Sequence, residues 1–416
     1  MLRNYLLTAW KVFMRRKLFT AINLLCIVLT LLVLMVTAAL LESAVHPAGV
    51  EHRSDRFLQV YGIRSQSADR GKMTTTLLGY KTIERYLKPL QTAHSVERVA
   101  ALTMPRQVAV YQGDRVNELQ MRHVDADYWK ILDFHLLAGR LPDEEDDRMG
   151  RMVAVVNASK ARQLFPDRAA VGQKIVVDGR TLEVIGVVED AAHINAFADI
   201  WAPLATHPSP GYRNELRGEF AALLLARDPA DLPRIQREVE RVATTFVPED
   251  PLNMPVTLFW ADSKLDVFAR TLLNNQSQAD SGAAALLTTI GVGMLLFMLL
   301  PALNLVNLNM GRILERSGEI GVRKAFGATS AQLAAQLVVE NVLLCVAGGL
   351  IGLACTAAVL WWIEAAQLIP YLKVAVDFAV FGWGMLFALV FGLLSGAVPA
   401  VAMSRLDPVH ALKGAA

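Results

Sequence analysis

Four uninterrupted apolar runs constrain this chain more than any other feature, because a helix needs about 20 apolar residues to cross about 30 Å of hydrocarbon. The runs cover residues 20–41, 283–308, 333–363 and 374–403, and no fifth run competes with them. All four read as helices. Their glycines, and Pro301 and Pro399, are tolerable in a bilayer, where neighbouring helices satisfy freed backbone groups. Composition agrees: 54% of residues are hydrophobic and only 19% charged, below the roughly 25% usual in soluble proteins. The expected class is an α-helical membrane protein with four transmembrane helices plus one large α+β domain. A net charge of +2 gives no electrostatic reason to expect nucleic acid as a partner. Cys26, Cys345 and Cys355 all fall in apolar stretches, so a disulfide framework in the polar middle is excluded.

A basic leader before an apolar stretch also describes a secretory signal peptide, but the first apolar core is too long for one. Leu24 and Leu25 precede Cys26 where a bacterial lipidation site would carry small residues, so a retained anchor is expected. Orientation follows from the basic residues of the short flanks, which stay on the cytoplasmic side. Residues 1–19, 309–332 and 404–416 together hold eleven Lys and Arg against Glu315, Glu319 and Asp407. The short loop 364–373, by contrast, offers Lys373 beside Glu364. Both termini are therefore expected inside, and residues 42–282 outside.

That outer segment is long enough to bury its own core. Period-2 patterns at Arg56–Tyr61, Met152–Val156 and Thr181–Val188 predict strands, and Leu232–Phe246 predicts a helix. Asp178-Gly179 predicts a tight hairpin. From Ser263 through Ala279 the pattern is helical again and leads into the second span, which predicts a continuous stalk able to transmit movement.

The stretch Arg312-Ile313-Leu314-Glu315-Arg316-Ser317-Gly318-Glu319-Ile320-Gly321-Val322-Arg323-Lys324-Ala325-Phe326-Gly327-Ala328-Thr329, followed by Gln336, Glu340-Asn341, Gly348-Gly349 and Gly352, resembles the signature of the MacB/FtsX superfamily of ABC transporter permeases. In the outer segment, Val124-Asp125-Ala126-Asp127-Tyr128-Trp129, Leu137-Ala138-Gly139-Arg140, Val153–Asn157, Leu164-Phe165, Val171-Gly172 and Val184–Val188 are similar to that family's periplasmic core domain. The tail, Pro399–Ala402 and then Asp407–Lys413, resembles the family's ending. The resemblance implies a dimeric permease of the bacterial inner membrane, pairing with itself or with a related permease. It also implies a cytoplasmic ABC ATPase subunit that consumes ATP and Mg and passes motion through stalk helices to the periplasmic domain. The fused ATPase of the namesake exporter is not expected, since about 19 residues precede the first span and no Gly-x-x-x-x-Gly-Lys-Ser/Thr loop occurs. The chain itself is expected to bind no cofactor and to catalyse nothing.

Export or extraction of an amphipathic substrate, with a periplasmic adaptor and an outer-membrane duct, is the leading reading of the resemblance. Its alternatives are a lipoprotein-release permease and an FtsX-like mechanical regulator of cell-wall hydrolases. On residues alone, 309–332 could be a solvated helix stitched by i,i+4 pairs such as Glu319 and Arg323. With the resemblance it becomes the coupling segment, and Arg312, Glu315, Arg316, Glu319, Arg323, Lys324, Gly327 and Ala328 are the candidate ATPase-coupling residues. Tyr5–Phe19, with Leu6, Ala9, Trp10 and Phe13 on one face, reads as an amphipathic helix on membrane lipids. Asn304, Asn307, Asn309, Gln336, Glu340 and Asn341 read as hydrogen-bonding groups between helices. Asp143–Asp147 lacks the pattern of a calcium loop and reads as a solvated turn. The eight histidines have no zinc spacing, and no nucleophile motif appears.

Overall fold

The computed structural model describes residues 14, 17–45, 49–69, 71–92, 94–112, 115–191, 193–275, 280–315, 322, 329–366 and 378–404. Two compact units are present, Glu42–Leu286 and a second built from the apolar helices. Helix α1 spans Lys17–Val45, a run of Leu, Ile, Val and Ala free of glycine and proline.

In the Glu42–Leu286 unit one mixed sheet holds fourteen strands among the described residues. They are β1 (Phe57–Val60), β2 (Gly62–Gln66), β3 (Met73–Leu78), β4 (Val96–Thr103), β5 (Arg106–Gln112), β6 (Arg115–Val124), β7 (Leu136–Gly139), β8 (Val153–Asn157), β9 (Lys174–Val177), β10 (Arg180–Val188), β11 (Ile200–Pro203), β12 (Arg217–Gly218), β13 (Phe220–Ala226) and β14 (Val256–Phe259). The order β11-β8-β10-β9-β5-β6-β4-β13-β3-β2-β14 makes two halves that meet where β6 pairs β4 through Leu102 and Val124. Helices α2 (Tyr128–Ile131), α3 (Glu144–Met149), α4 (Ala158–Leu164), α5 (Leu232–Thr244) and α6 (Lys264–Leu272) complete the unit.

Each half has its own core. Ile235, Val239 and Ala243 recur every four residues on α5 and bury against Leu58, Val60, Leu78, Phe220 and Leu224. Ala161 and Leu164 of α4 bury against Val156, Val184 and Ile200 in the other half. An aromatic cluster of Tyr128, Trp129, Phe134 and Trp201 forms a third core, with Trp201 and Phe134 edge to face at 5.3 Å.

The expected strands and helix lie at β1, β8, β10 and α5, and Asp178-Gly179 joins β9 to β10 with both residues at positive φ, 46° and 81°. Gly139, in the Leu-Ala-Gly-Arg motif, sits at φ 76° where a Cβ would lie 2.1 Å from the Ile185 carbonyl oxygen. Only glycine lets β7 come this close to β10.

Two expectations need correction. The acidic run is not a simple solvated turn: Asp143 caps α3 through a capping box, and the buried Asp146 carboxylate accepts from Arg140 Nη2 and Arg151 Nη1, each at 3.0 Å. Those hydrogen bonds, Arg140 foremost, hold the Asp146 carboxyl well below the usual range. Nor is the stalk continuous. Helix α6 stops at Leu272, Asn274 turns left-handed at φ 51°, Gly282 does so at φ 78°, and the next helix begins at Ala283. The stop has a cause in Arg270, whose Nη1 donates to the Asn275 carbonyl at 3.1 Å and so ties the chain back on α6.

Helices α7 (Ala283–Glu315), α8 (Ser330–Ala365) and α9 (Phe378–Ser404) follow. By length and composition α1, α7 and α8 can each cross a membrane, and α9 carries the shorter apolar stretch Phe378–Leu394. The α7 helix runs past Leu308, so Arg312 and Glu315 of the coupling segment belong to its last turns. Most of the amino-terminal amphipathic stretch, most of the 364–373 loop and the tail after Ser404 lie outside the described residues.

Candidate coupling site

The chain enters the polar unit through the segment after α1 and leaves it through the segment before α7. Those two segments are fastened to each other. Gln59 of β1 and Asp262 exchange both backbone hydrogen bonds, at 2.7 and 2.8 Å, as an isolated antiparallel bridge. Beside it, Lys264 at the first turn of α6 pairs its ammonium with the Glu51 carboxylate. Neither is reachable by water to any extent: Glu51 is 0% exposed and Lys264 7%.

Glu51 sits on a single 3-10 turn, Gly49–Glu51, immediately after the first helix. Its Oε1 accepts from the backbone N–H groups of Asn195 at 2.9 Å and Ala196 at 3.1 Å, while Asn195 Nδ2 donates to Oε2 at 3.4 Å. Charge-assisted bonds of this kind are what make a buried carboxylate tolerable. The loop carrying Asn195 is itself gripped from the other side. Arg122 donates from Nη2 to the Ile194 carbonyl at 2.9 Å, and the Tyr128 hydroxyl donates to the Asn195 carbonyl at 2.8 Å. Tyr61 donates to Asn195 Oδ1, and Trp201 Nε1 to the Tyr128 oxygen at 3.3 Å. Burial pushes the Tyr61 and Tyr128 hydroxyls far above the usual phenol range, so both act as neutral donors.

A second layer closes the base. Arg270 donates from Nε to Asp262 Oδ2 at 2.8 Å, and its guanidinium lies over the Trp260 ring, 4.6 Å from the centroid. Burial pushes the Asp262 carboxyl up to about 6 against the pull of Arg270. Ser263 caps α6 through a capping box with Asp266, and Ser281 donates to the other Asp266 oxygen. Although the stalk is broken, its two ends are therefore joined by side chains.

Among the apolar helices, α1, α8 and α9 approach closely through glycine. A Cβ on Gly348 would stand 2.6 Å from Ile27 Cγ2, one on Gly349 1.9 Å from Met385 Cε, and one on Gly392 2.8 Å from Cys345 Sγ. Asn341 Nδ2 donates to the Gly392 carbonyl at 3.4 Å, and Asn304 Nδ2 donates to Asn23 Oδ1 at 3.1 Å. Glu340 is fully buried in the same unit. These contacts give Asn304 and Asn341 the interhelical role expected of them. Asn307, by contrast, is exposed on α7.

The description of the MacB-like periplasmic core domain matches residues 20–242, and that of the FtsX-like permease C-terminal matches residues 291–408. The chain belongs to the MacB/FtsX family of ABC transporter permeases. It is 22% identical over 349 residues to an uncharacterized ABC transporter permease, YknZ of Bacillus subtilis, covering 79% of this chain and 78% of that one. Another relative is a macrolide export ATP-binding/permease protein, MacB of Bdellovibrio bacteriovorus, 26% identical over 286 residues. There the match takes in 66% of this chain but 41% of the relative, so the chain spans well under half of MacB. The solved periplasmic region of MacB from Actinobacillus actinomycetemcomitans aligns with a TM-score of 0.40 at 14% identity, over 56% of this chain and 96% of that one. Residues 42–242 of the Glu42–Leu286 unit thus lie within the match to the MacB-like periplasmic core domain.

Of the residues singled out from sequence, Arg312 and Glu315 fall on the last turns of α7. Arg316, Glu319, Arg323, Lys324, Gly327 and Ala328 lie outside the described residues, and Thr329 just beyond them caps α8 in a capping box with Gln332. Glu51, Lys264 and Asn195 were not legible as a site. No local spacing links an acid after the first span to a lysine before the second.

Proposed function

We propose that this chain is the transmembrane permease subunit of an ABC transporter in a bacterial inner membrane, with four spans and both termini cytoplasmic. In this reading a separate cytoplasmic ATPase hydrolyses ATP, and the chain carries the resulting movement to its periplasmic domain for export or extraction of an amphipathic substrate. A second permease completes the bundle, and a periplasmic adaptor with an outer-membrane duct receives the substrate. The buried Glu51–Lys264 pair beside the Gln59–Asp262 bridge carries this reading. A domain that only floated on its tethers would not need both of its attachment segments fused into one hydrogen-bonded, desolvated base. Two segments bonded in this way share any displacement that either receives, which is the mechanical requirement for transmission.

The cytoplasmic end of the path is assigned to Arg312, Glu315, Arg316, Glu319, Arg323, Lys324, Gly327 and Ala328, with Glu319 and Arg323 as the polar contacts to the ATPase. Exchanging their charges in the double variant Glu319→Lys with Arg323→Glu tests the assignment. Expression and melting should stay near wild type, since exposed pairs contribute about 0–1 kcal/mol. ATPase binding and transport-dependent release should be lost. Wild-type values of both in a normally expressed variant refute the reading.

A further inference from the structure

Apart from the coupling base, the periplasmic domain holds a cavity of about 160 Å³ where the first residue of β5, the end of β6 and the β9–β10 hairpin converge. Its polar lining is Arg106, His123, Asp178 and Arg180, and its apolar lining includes Met121, Met152, Val177 and Leu182. Two guanidinium groups face one carboxylate there. Asp178 contributes Oδ2 to Arg106 Nη2 at 3.2 Å, while its Oδ1 accepts from the Ala109 N–H at 2.9 Å. Arg180 is held by carbonyls rather than by an acid: Nη1 donates to Thr206 at 3.1 Å and Nη2 to Pro208 at 3.3 Å.

Hairpin and loop fastening explain those bonds, yet they leave two groups unaccounted for. Arg106 Nε is buried with no acceptor. His123 is 2% exposed, and no hydrogen bond holds its ring, which meets the His207 ring edge-on at 5.2 Å. His207 has its own acid, Glu219, at 2.8 Å. Burial first, and then His207, Arg106 and Arg180, push the His123 imidazole down to about 3, so it is neutral here and the surplus positive charge is that of the arginines. Two guanidinium groups against one carboxylate, beside an apolar wall, are what an anion attached to a hydrocarbon requires.

We propose that this cavity binds the anionic head, phosphate or carboxylate, of an amphipathic molecule, with the Arg106 and Arg180 guanidinium groups as its counter-charges and the first carbons of its chain against Met121, Met152 and Leu182. The inference rests on the amphipathic substrate of the proposed function and narrows that class to anions.

The full chain in discs of zwitterionic lipid is titrated calorimetrically with octyl phosphate, inorganic phosphate and octylammonium, and empty discs are subtracted. Octyl phosphate should bind about tenfold or more tightly than inorganic phosphate, and octylammonium should not bind. Arg106→Gln should weaken octyl phosphate about tenfold or more, as loss of a charge-assisted bond does. Met152→Glu, which sets a carboxylate on the wall at a half-exposed position, should do the same and covers the case in which Arg106→Gln fails to fold. Equal affinity for the two phosphates assigns the site to free anions and overturns the proposal. So does binding of octylammonium, absence of binding, or wild-type affinity in both folded variants. No ATPase enters this measurement, so a failed coupling test and a failed binding test are separate results.

Discussion

Replacing Lys264 by Met isolates what the buried ion pair contributes. Methionine keeps the length and apolar stem of the side chain but leaves the Glu51 carboxylate, 0% exposed, with the Asn195 and Ala196 amides and no counter-ion in contact. Removing one partner of a buried pair typically costs about 3–5 kcal/mol, because the survivor keeps its desolvation penalty. For a domain of this size each kcal/mol moves the melting midpoint by about 2–4 °C, so the drop should be about 6–20 °C. Glu51→Gln alone should also destabilise, stranding the ammonium while the amide oxygen still accepts from both N–H groups. The double variant, with no buried charge at either position, should recover about half or more of the loss, giving a coupling energy of about 2 kcal/mol or more. Differential scanning fluorimetry of the detergent-solubilised chain, following the periplasmic domain, reads all four corners of the cycle. A Lys264→Met midpoint within about 2 °C of wild type, or single losses that simply add in the double variant, refutes the assignment of the base to this pair.

Gly348→Leu should lower the thermal stability of the helical unit by about 1–3 kcal/mol, because even a Cβ there meets Ile27 Cγ2 at 2.6 Å and its branched Cβ at 3.0 Å. Gly291→Leu on α7, where nothing lies within 4 Å, should leave it unchanged or raise it by up to about 1 kcal/mol, and size-exclusion after heating in detergent compares the two. His123 predicts a pH dependence with a definite sign. Its folded value of about 3 lies below the usual 6.5, so as pH falls under 6.5 the unfolded chain takes up a proton that the fold refuses. Stability is lost in that window, and wild type should lose about 2 kcal/mol relative to His123→Leu between pH 7 and pH 5, measured by urea unfolding of the domain.

The apolar runs were legible because a bilayer demands about 20 residues without interruption, a signal no local packing can imitate. Strands β8 and β10 and the Asp178-Gly179 turn were legible for a similar reason, since alternation and positive φ are written into neighbouring residues. The break after α6 was not. The stretch from Ser263 to Ala279 keeps a helical pattern, and what ends the helix is Arg270 reaching Asn275, although the adjacent Asn274 is a residue that accepts a left-handed turn. Asp143 to Asp147 looked solvated because its partners Arg140 and Arg151 stand on either side of the run, and only folding brings both onto Asp146. The base around Glu51 is least legible of all. Its members come from opposite ends of the domain and from the Asn195 loop, and nothing in the spacing of any one of them points to the others.

Because β1 and the segment before α6 are bonded side by side, the periplasmic domain departs from the chain and returns to it at a single spot. It has the geometry of an insert, closed on itself at the neck, and strands remote from the Asn195 loop can change without altering what the neck presents to the rest of the protein. An insert of this kind can vary in its outer strands while the helices that carry it keep their own packing.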